Sequence, residues 1–64
     1  MRFGIHSNSN RDIDYKVAID LSSIILDRGS VPVFEKSLED SALSSVAGIE
    51  FDSFESCDVI ISIG

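Results

Sequence analysis

The sequence predicts an α/β fold: an open, parallel, doubly wound sheet of the Rossmann-like or flavodoxin-like kind, of which these residues form a β-α-β-α-β portion. Three observations predict it. Asp58-Val59-Ile60-Ile61-Ser62-Ile63 is a nearly unbroken β-branched run, the pattern of a parallel strand covered on both faces. Val17, Leu21, Ile24 and Arg28 recur at spacings of four, three and four, as on one face of a helix. The alternation of strand-like and helix-like segments, with connections long enough for right-handed crossovers, then favours a parallel sheet.

The first strand is expected at Phe3 to His6, where Ser7-Asn8-Ser9-Asn10 ends it with four turn-favouring residues. Asn10 is the expected N-cap of the first helix, with Asp12 and Asp14 in the first turn complementing the helix dipole. Ala18 and Ile25 widen its apolar stripe, and Gly29, after Arg28, supplies the left-handed residue that closes it.

Val31 to Glu35 reads as the second strand. Pro32 cannot donate to a ladder, so it points to the strand's first residues or to an edge position, and the strand is expected to be peripheral. Ser37 with Asp40 resembles a capping box, and Leu38, Ala42, Leu43 and Val46 continue at helical spacing to Gly48, which predicts a short second helix. Ile49 to Cys57 mixes Phe51 and Phe54 with acids and serines, a connection whose rings tuck under the sheet. The third strand, Asp58 to Ile63, is expected to be central. In the usual strand order, however, the first strand takes the middle and the third is left with an open edge, so more sheet is expected to follow in this chain or an associated one.

Sixty-four residues with 44% apolar content support one small core, in a fold that buries only about 60% of the surface of its unfolded chain. Eleven acids against five basic residues give a net charge of −6, which disfavours DNA and RNA as partners. A small phosphorylated ligand stays compatible, because backbone N–H groups bind phosphate locally. Cys57 stands alone, forms no internal disulfide and reads as a small buried thiol in a reducing compartment. No stretch resembles a signal peptide or a membrane span, so a cytoplasmic protein is expected.

In open α/β sheets ligands lie outside the carboxyl ends of the strands. That rule singles out His6 to Arg11 and Gly64. Gly64 follows the buried strand where the backbone turns or approaches a ligand closely, although a plain strand-ending turn uses glycine as readily. Ser7, Asn8 and Asn10 offer hydroxyl and amide groups beside a helix start, suited to phosphate contact or to simple capping. His6 has no carboxylate or cysteine near it in sequence and reads as structural; no metal-ligand spacing occurs. A phosphoacceptor receiver domain is excluded: it needs an acidic pair after the first strand and an aspartate ending the third, where this chain has His6-Ser7 and Ile63-Gly64. A flavodoxin-type phosphate loop needs an internal glycine, which Ser7 to Arg11 lacks.

Cys57-Asp58-Val59-Ile60-Ile61-Ser62-Ile63-Gly64 resembles the NAD kinase family, in which such a strand runs into a Gly-Gly-Asp-Gly-Thr motif whose first glycine Gly64 matches. Arg2-Phe3-Gly4-Ile5-His6-Ser7-Asn8 is also similar to the family's first strand and turn; the likeness follows element order over the whole chain, with only the last eight residues specific. The resemblance implies that residues 1–64 are the amino-terminal part of a nucleotide-binding domain, with the rest of it and a β-rich second domain to follow. It implies phosphoryl transfer from ATP or polyphosphate, with a divalent metal (Mg), to the 2′-hydroxyl of the adenosine ribose of NAD, giving NADP. A homo-oligomeric full protein is part of the same expectation. The motif's aspartate, taken as the base, would come two positions after Gly64, so these residues hold no catalytic group and are expected to be inactive alone. Two alternatives stand beside it: a small flavodoxin-like or Rossmann-like module acting by association through the open edge of its last strand, and a structural lobe whose loops touch no ligand.

Overall fold

The computed structural model describes residues 1–8 and 12–63. Four strands, β1 (Arg2–Ser7), β2 (Val31–Phe34), β3 (Glu50–Phe51) and β4 (Val59–Ile63), form one all-parallel sheet in the order β3-β2-β1-β4. Among the described residues one α-helix, α1 (Lys16–Asp27), lies between β1 and β2. Single 3-10 turns at Ile13–Tyr15, Lys36–Leu38, Ala42–Ser45 and Phe54–Ser56 make up the other connections. The expected α/β fold with a parallel sheet is what the chain adopts, as a small and partial version of it.

Strand alternation divides the side chains between two faces. Ile5 and Phe34 meet α1 residues Ala18 and Ile25 and the connection residue Leu43 in the buried core, with Phe3, Phe51 and Ile63 packed against it. The opposite face carries Gly4, beside which Phe54 and Cys57 lie. The rings of the 49–57 connection therefore divide: Phe51 packs near Phe34 at a centroid distance of 6.4 Å, and Phe54 crosses the other face. Helix α1 and the Phe54 turn thus cover opposite faces, as right-handed crossovers leading left and right from β1 require.

Several expectations are corrected. The buried stripe of α1 is Ala18, Ser22 and Ile25, whereas Val17 and Ile24 are about half exposed. Ser22 fits inside because its hydroxyl donates to the carbonyl of Ala18 at 2.7 Å, satisfying a polar group that burial would otherwise penalise. The expected second helix is two separate 3-10 turns, and no side chain caps the first. Ser41 interrupts it with extended backbone, and the hydroxyls of Ser41, Ser44 and Ser45 donate to the carbonyls of Leu38, Ser41 and Ala42, competing with helical hydrogen bonds.

Strand β2 is not peripheral; β3 pairs along its outer side, with Val33 opposite Glu50 and Phe34 opposite Phe51. Val31 N–H donates to Met1 O on the β1 side, and Phe34 O accepts from Asp52 N on the β3 side. Alternation then turns the nitrogen of Pro32 away from β1, so the central ladder loses no donor. Strand β4, expected to be central, lies at the edge and pairs with β1 alone among the described residues. Its Val59 and Ile60 are 40% and 58% exposed, the open edge anticipated from the usual strand order. The helix stop is as expected: Gly29, at φ 78°, lets its N–H donate to Leu26 O while Ser30 N–H donates to Ile25 O.

Candidate functional site

The carboxyl ends of the four strands gather His6 and Ser7 at the end of β1 with Asn8 after it, Glu35 and Lys36 after β2, Asp52 and Ser53 after β3, and Ser62 and Ile63 at the end of β4. Strand β1 pairs with β4 from Phe3–Val59 to Ser7–Ile63, so the carboxyl ends of these two strands lie side by side. From β1 the chain turns to the α1 face, whereas β4 is reached across the Phe54 face. The gap between the ends of β1 and β4 is therefore the sheet's topological switch point, where ligands bind in folds of this type.

Of the residues singled out from sequence, Ser7 and Asn8 stand at this point; Asn10 and Gly64 lie outside the described residues. Ser7 is committed to the fold: its hydroxyl donates to Asp12 Oδ2 at 3.3 Å, and Asn8 O accepts from Asp12 N at 2.8 Å. Asp12 is only 3% exposed, and its carboxylate accepts from the N–H groups of Val17 and Ala18 at 2.8 and 2.9 Å. It is the side chain that satisfies the first turn of α1, bridging the left-handed residues Asp14 and Tyr15 that precede the helix. A carboxylate thus holds the donors to which an anion at this helix start would bind.

His6 is not without a partner. The β1–β2 register, carried two residues past Gly4–Val33, puts His6 beside Glu35, and His6 Nδ1 lies 3.1 Å from Glu35 Oε1. Both side chains are about half exposed. Glu35 also lines an open cavity of about 390 Å³ with Lys36, Asp52, Ser53 and Phe54, beyond the ends of β2 and β3. Its lining combines an aromatic ring, two carboxylates, a hydroxyl and one amine.

None of these cavity residues was predicted as a site. The signal available was Glu35 directly after a strand, at the end of the sheet where ligands bind. Asp52 is held in place, with Oδ1 accepting from Ser53 N at 2.7 Å and Oδ2 lying 3.8 Å from Arg2 Nη2. Arg2 belongs to the scaffold: it pairs with Glu50 at 2.9 Å, and this hydrogen bond raises its already high pKa. Its guanidinium is a permanent cation joining the start of β1 to β3 and, through Ser56, to the turn before β4.

Cys57 is half-buried beside Gly4. Among the described residues no three His, Cys, Asp or Glu side chains converge on a point that could hold a metal ion, and no helix is long and apolar enough to cross a membrane. No protein-family model, no curated protein and no solved structure matches this chain.

Proposed function

We propose that these residues form the nucleotide-binding start of an NAD kinase, which transfers a phosphoryl group from ATP or polyphosphate to the 2′-hydroxyl of the adenosine ribose of NAD. The observation that carries the reading is the Ser7–Ile63 pairing, which brings the Ser7-Asn8 turn beside the carboxyl end of β4 at the switch point. A Gly-Gly-Asp-Gly-Thr segment beginning at Gly64 would start at this crevice. There its amides would meet phosphate and its aspartate would accept the ribose proton, positioning being the main lever of phosphoryl transfer.

The chain's own residues shape that crevice. Asp12 withholds the N–H groups of Val17 and Ala18 from phosphate, so contact in this reading falls to the Ser7-Asn8 turn and to the glycines expected after β4. The described residues do not fit a protein-held magnesium ion, and the divalent metal would arrive on the nucleotide's phosphates. A cytoplasmic, homo-oligomeric parent enzyme is part of the proposal, and the lone thiol suits a reducing compartment.

The test is ATP-dependent formation of NADP from NAD by the product of the natural gene and, in parallel, by the isolated 64 residues. Activity is expected in the first if Gly-Asp-Gly-Thr is encoded after Gly64, and in the second not at all. A natural product with no NADP formation from ATP or polyphosphate overturns the reading. The position of β4 supports a second one, a small module that acts by association through its open edge, where Val59 and Ile60 are exposed.

A further inference from the structure

We infer that Glu35, His6 and Ser62 form a carboxylate–imidazole–hydroxyl relay across the carboxyl end of the sheet, which lets Ser62 take the acyl group of a small ester and pass it to water. The three stand on β1 and its two neighbours. His6 is the register partner of Ser62 on β4, and Glu35 directly follows Phe34 of β2. As register partners in a parallel pair, His6 and Ser62 project from one face, the face that also carries Gly4 and Ile60. That face is open at this end: His6, Glu35, Ile60 and Ser62 are all exposed, and Phe54 covers it further back, beside Gly4.

Each group has the role its chemistry permits. Glu35 Oε1 lies 3.1 Å from His6 Nδ1 and accepts from that nitrogen, which leaves Nε2 as the basic nitrogen of the neutral ring. Ser62 puts a hydroxyl into the otherwise apolar run Val59-Ile60-Ile61-Ser62-Ile63, on the strip that His6 occupies. The hydrogen bond of His6 is to Glu35 and not to Ser62. Neighbouring strands stand about 4.8 Å apart, a gap that side-chain rotation spans, and nucleophile–base bonds commonly tighten only when substrate binds.

The reaction balances with water as its only co-reactant. Ser62 Oγ attacks the ester carbonyl as its proton passes to His6 Nε2, and the departing alcohol takes that proton as its bond to the acyl carbon breaks. Water then attacks the acyl-serine, its proton passes to Nε2 and on to Ser62 Oγ as that bond breaks, and the acid is released. Glu35 and a net charge of −6 disfavour an anionic ester, so the substrate class is a small neutral one. This activity stands apart from the kinase reading, since it uses no nucleotide and its test has the same outcome whether or not NADP is formed.

The probe is 4-nitrophenyl acetate, added to the 64-residue chain and to Ser62→Ala, His6→Ala and Glu35→Ala, exposed positions at which amide NMR spectra verify that the fold persists. Nitrophenolate release gives the rate, and mass spectrometry of the quenched chain locates the acetyl group. The parent is expected to carry it on Ser62, and Ser62→Ala to lose that species. His6→Ala should slow acetylation of Ser62 about 100-fold, the lower end for general-base catalysis. Glu35 is a positioning residue, so Glu35→Ala should slow acetylation about tenfold with KM unchanged. Imidazole nitrogen NMR should show the parent ring protonated on Nδ1 and the Glu35→Ala ring divided between two tautomers. Acetyl groups found only on lysine, the terminal amine or His6 would overturn the relay, and in the parent chain this result needs no variant. Acetylation of Ser62 at the parent rate in His6→Ala, or a tautomer unaltered in Glu35→Ala, would overturn it as well.

Discussion

The carboxylate of Asp12 accepts from the N–H of Ala18 at 2.9 Å, six residues further along the chain, and Val17 N–H is held by its other oxygen at 2.8 Å. One buried side chain therefore does at the start of α1 what a capping residue and a bound anion do at other helices.

Removing that carboxylate should expose both roles. Asp12→Ala is expected to cost about 1–2 kcal/mol, the upper range for loss of a helix cap, read as a lower urea midpoint with unchanged slope. Asp12→Asn, which keeps one acceptor, should cost less. Inorganic phosphate should raise the melting temperature of Asp12→Ala by occupying the vacated donors, and should leave the parent chain unaffected. Equal stabilisation of parent and variant would mean that Asp12 does not compete with anions.

Gly4 and Gly29 separate packing from backbone strain. A Cβ at Gly4 would stand 3.1 Å from both Cys57 Sγ and Phe54 Cδ1, an overpacked contact costing about 1–3 kcal/mol. At Gly29 nothing lies within 4 Å, and alanine meets only the penalty of φ 78°, roughly 1–2 kcal/mol. Phe54→Leu should therefore reduce the cost of Gly4→Ala and leave that of Gly29→Ala unchanged. A double-mutant cycle from urea unfolding measures both couplings, and additivity at Gly4 would show that the ring is not the obstacle.

Much of the fold was legible because its signals are local. The β-branched run at 59–63 and the glycine closing α1 carry their meaning within a few residues, and both elements are present. What failed depended either on contacts distant in sequence or on local side-chain hydrogen bonds that spacing does not reveal. Pro32 suggests an edge until the chain returns, and Glu50–Phe51 is too short to read as a strand. Ser22 hides the true buried face of α1, because a polar residue in a core stripe is recognised only once its bond to Ala18 is seen. The serines at 41, 44 and 45 look neutral to helical spacing yet redirect three carbonyls. At the site, the rule about carboxyl ends located the switch point. The His6–Glu35 pair followed only from a register between residues twenty-nine apart.

The core offers a sharper contrast than composition suggests. Phe34 and Leu43 are fully buried, so Phe34→Ala should cost about 3–5 kcal/mol and Leu43→Ala about 2–5 kcal/mol. In so small a fold either loss approaches the whole stability, and the variants are expected to be largely unfolded by far-UV circular dichroism. Ile24→Ala, at a helix position 53% exposed, should stay within about 0.5 kcal/mol of the parent. A large loss at Ile24 would show that the stripe read from spacing, not the Ala18–Ser22–Ile25 stripe, faces the core.

Strand β4 carries the last consequence. Its sequence has no lysine, proline or inward charge to guard an edge, and Ile60 projects at 58% exposure from the face opposite α1. The isolated chain should associate as its concentration rises, despite a net charge of −6, and added salt should strengthen that association by screening repulsion. Ile60→Lys should reduce it while changing stability by no more than about 0.5 kcal/mol, because the side chain is largely outside the core. Sedimentation velocity across concentration and salt measures this directly. A chain that stays monomeric throughout would remove the association reading, since an open apolar edge that does not pair is no basis for a binding module.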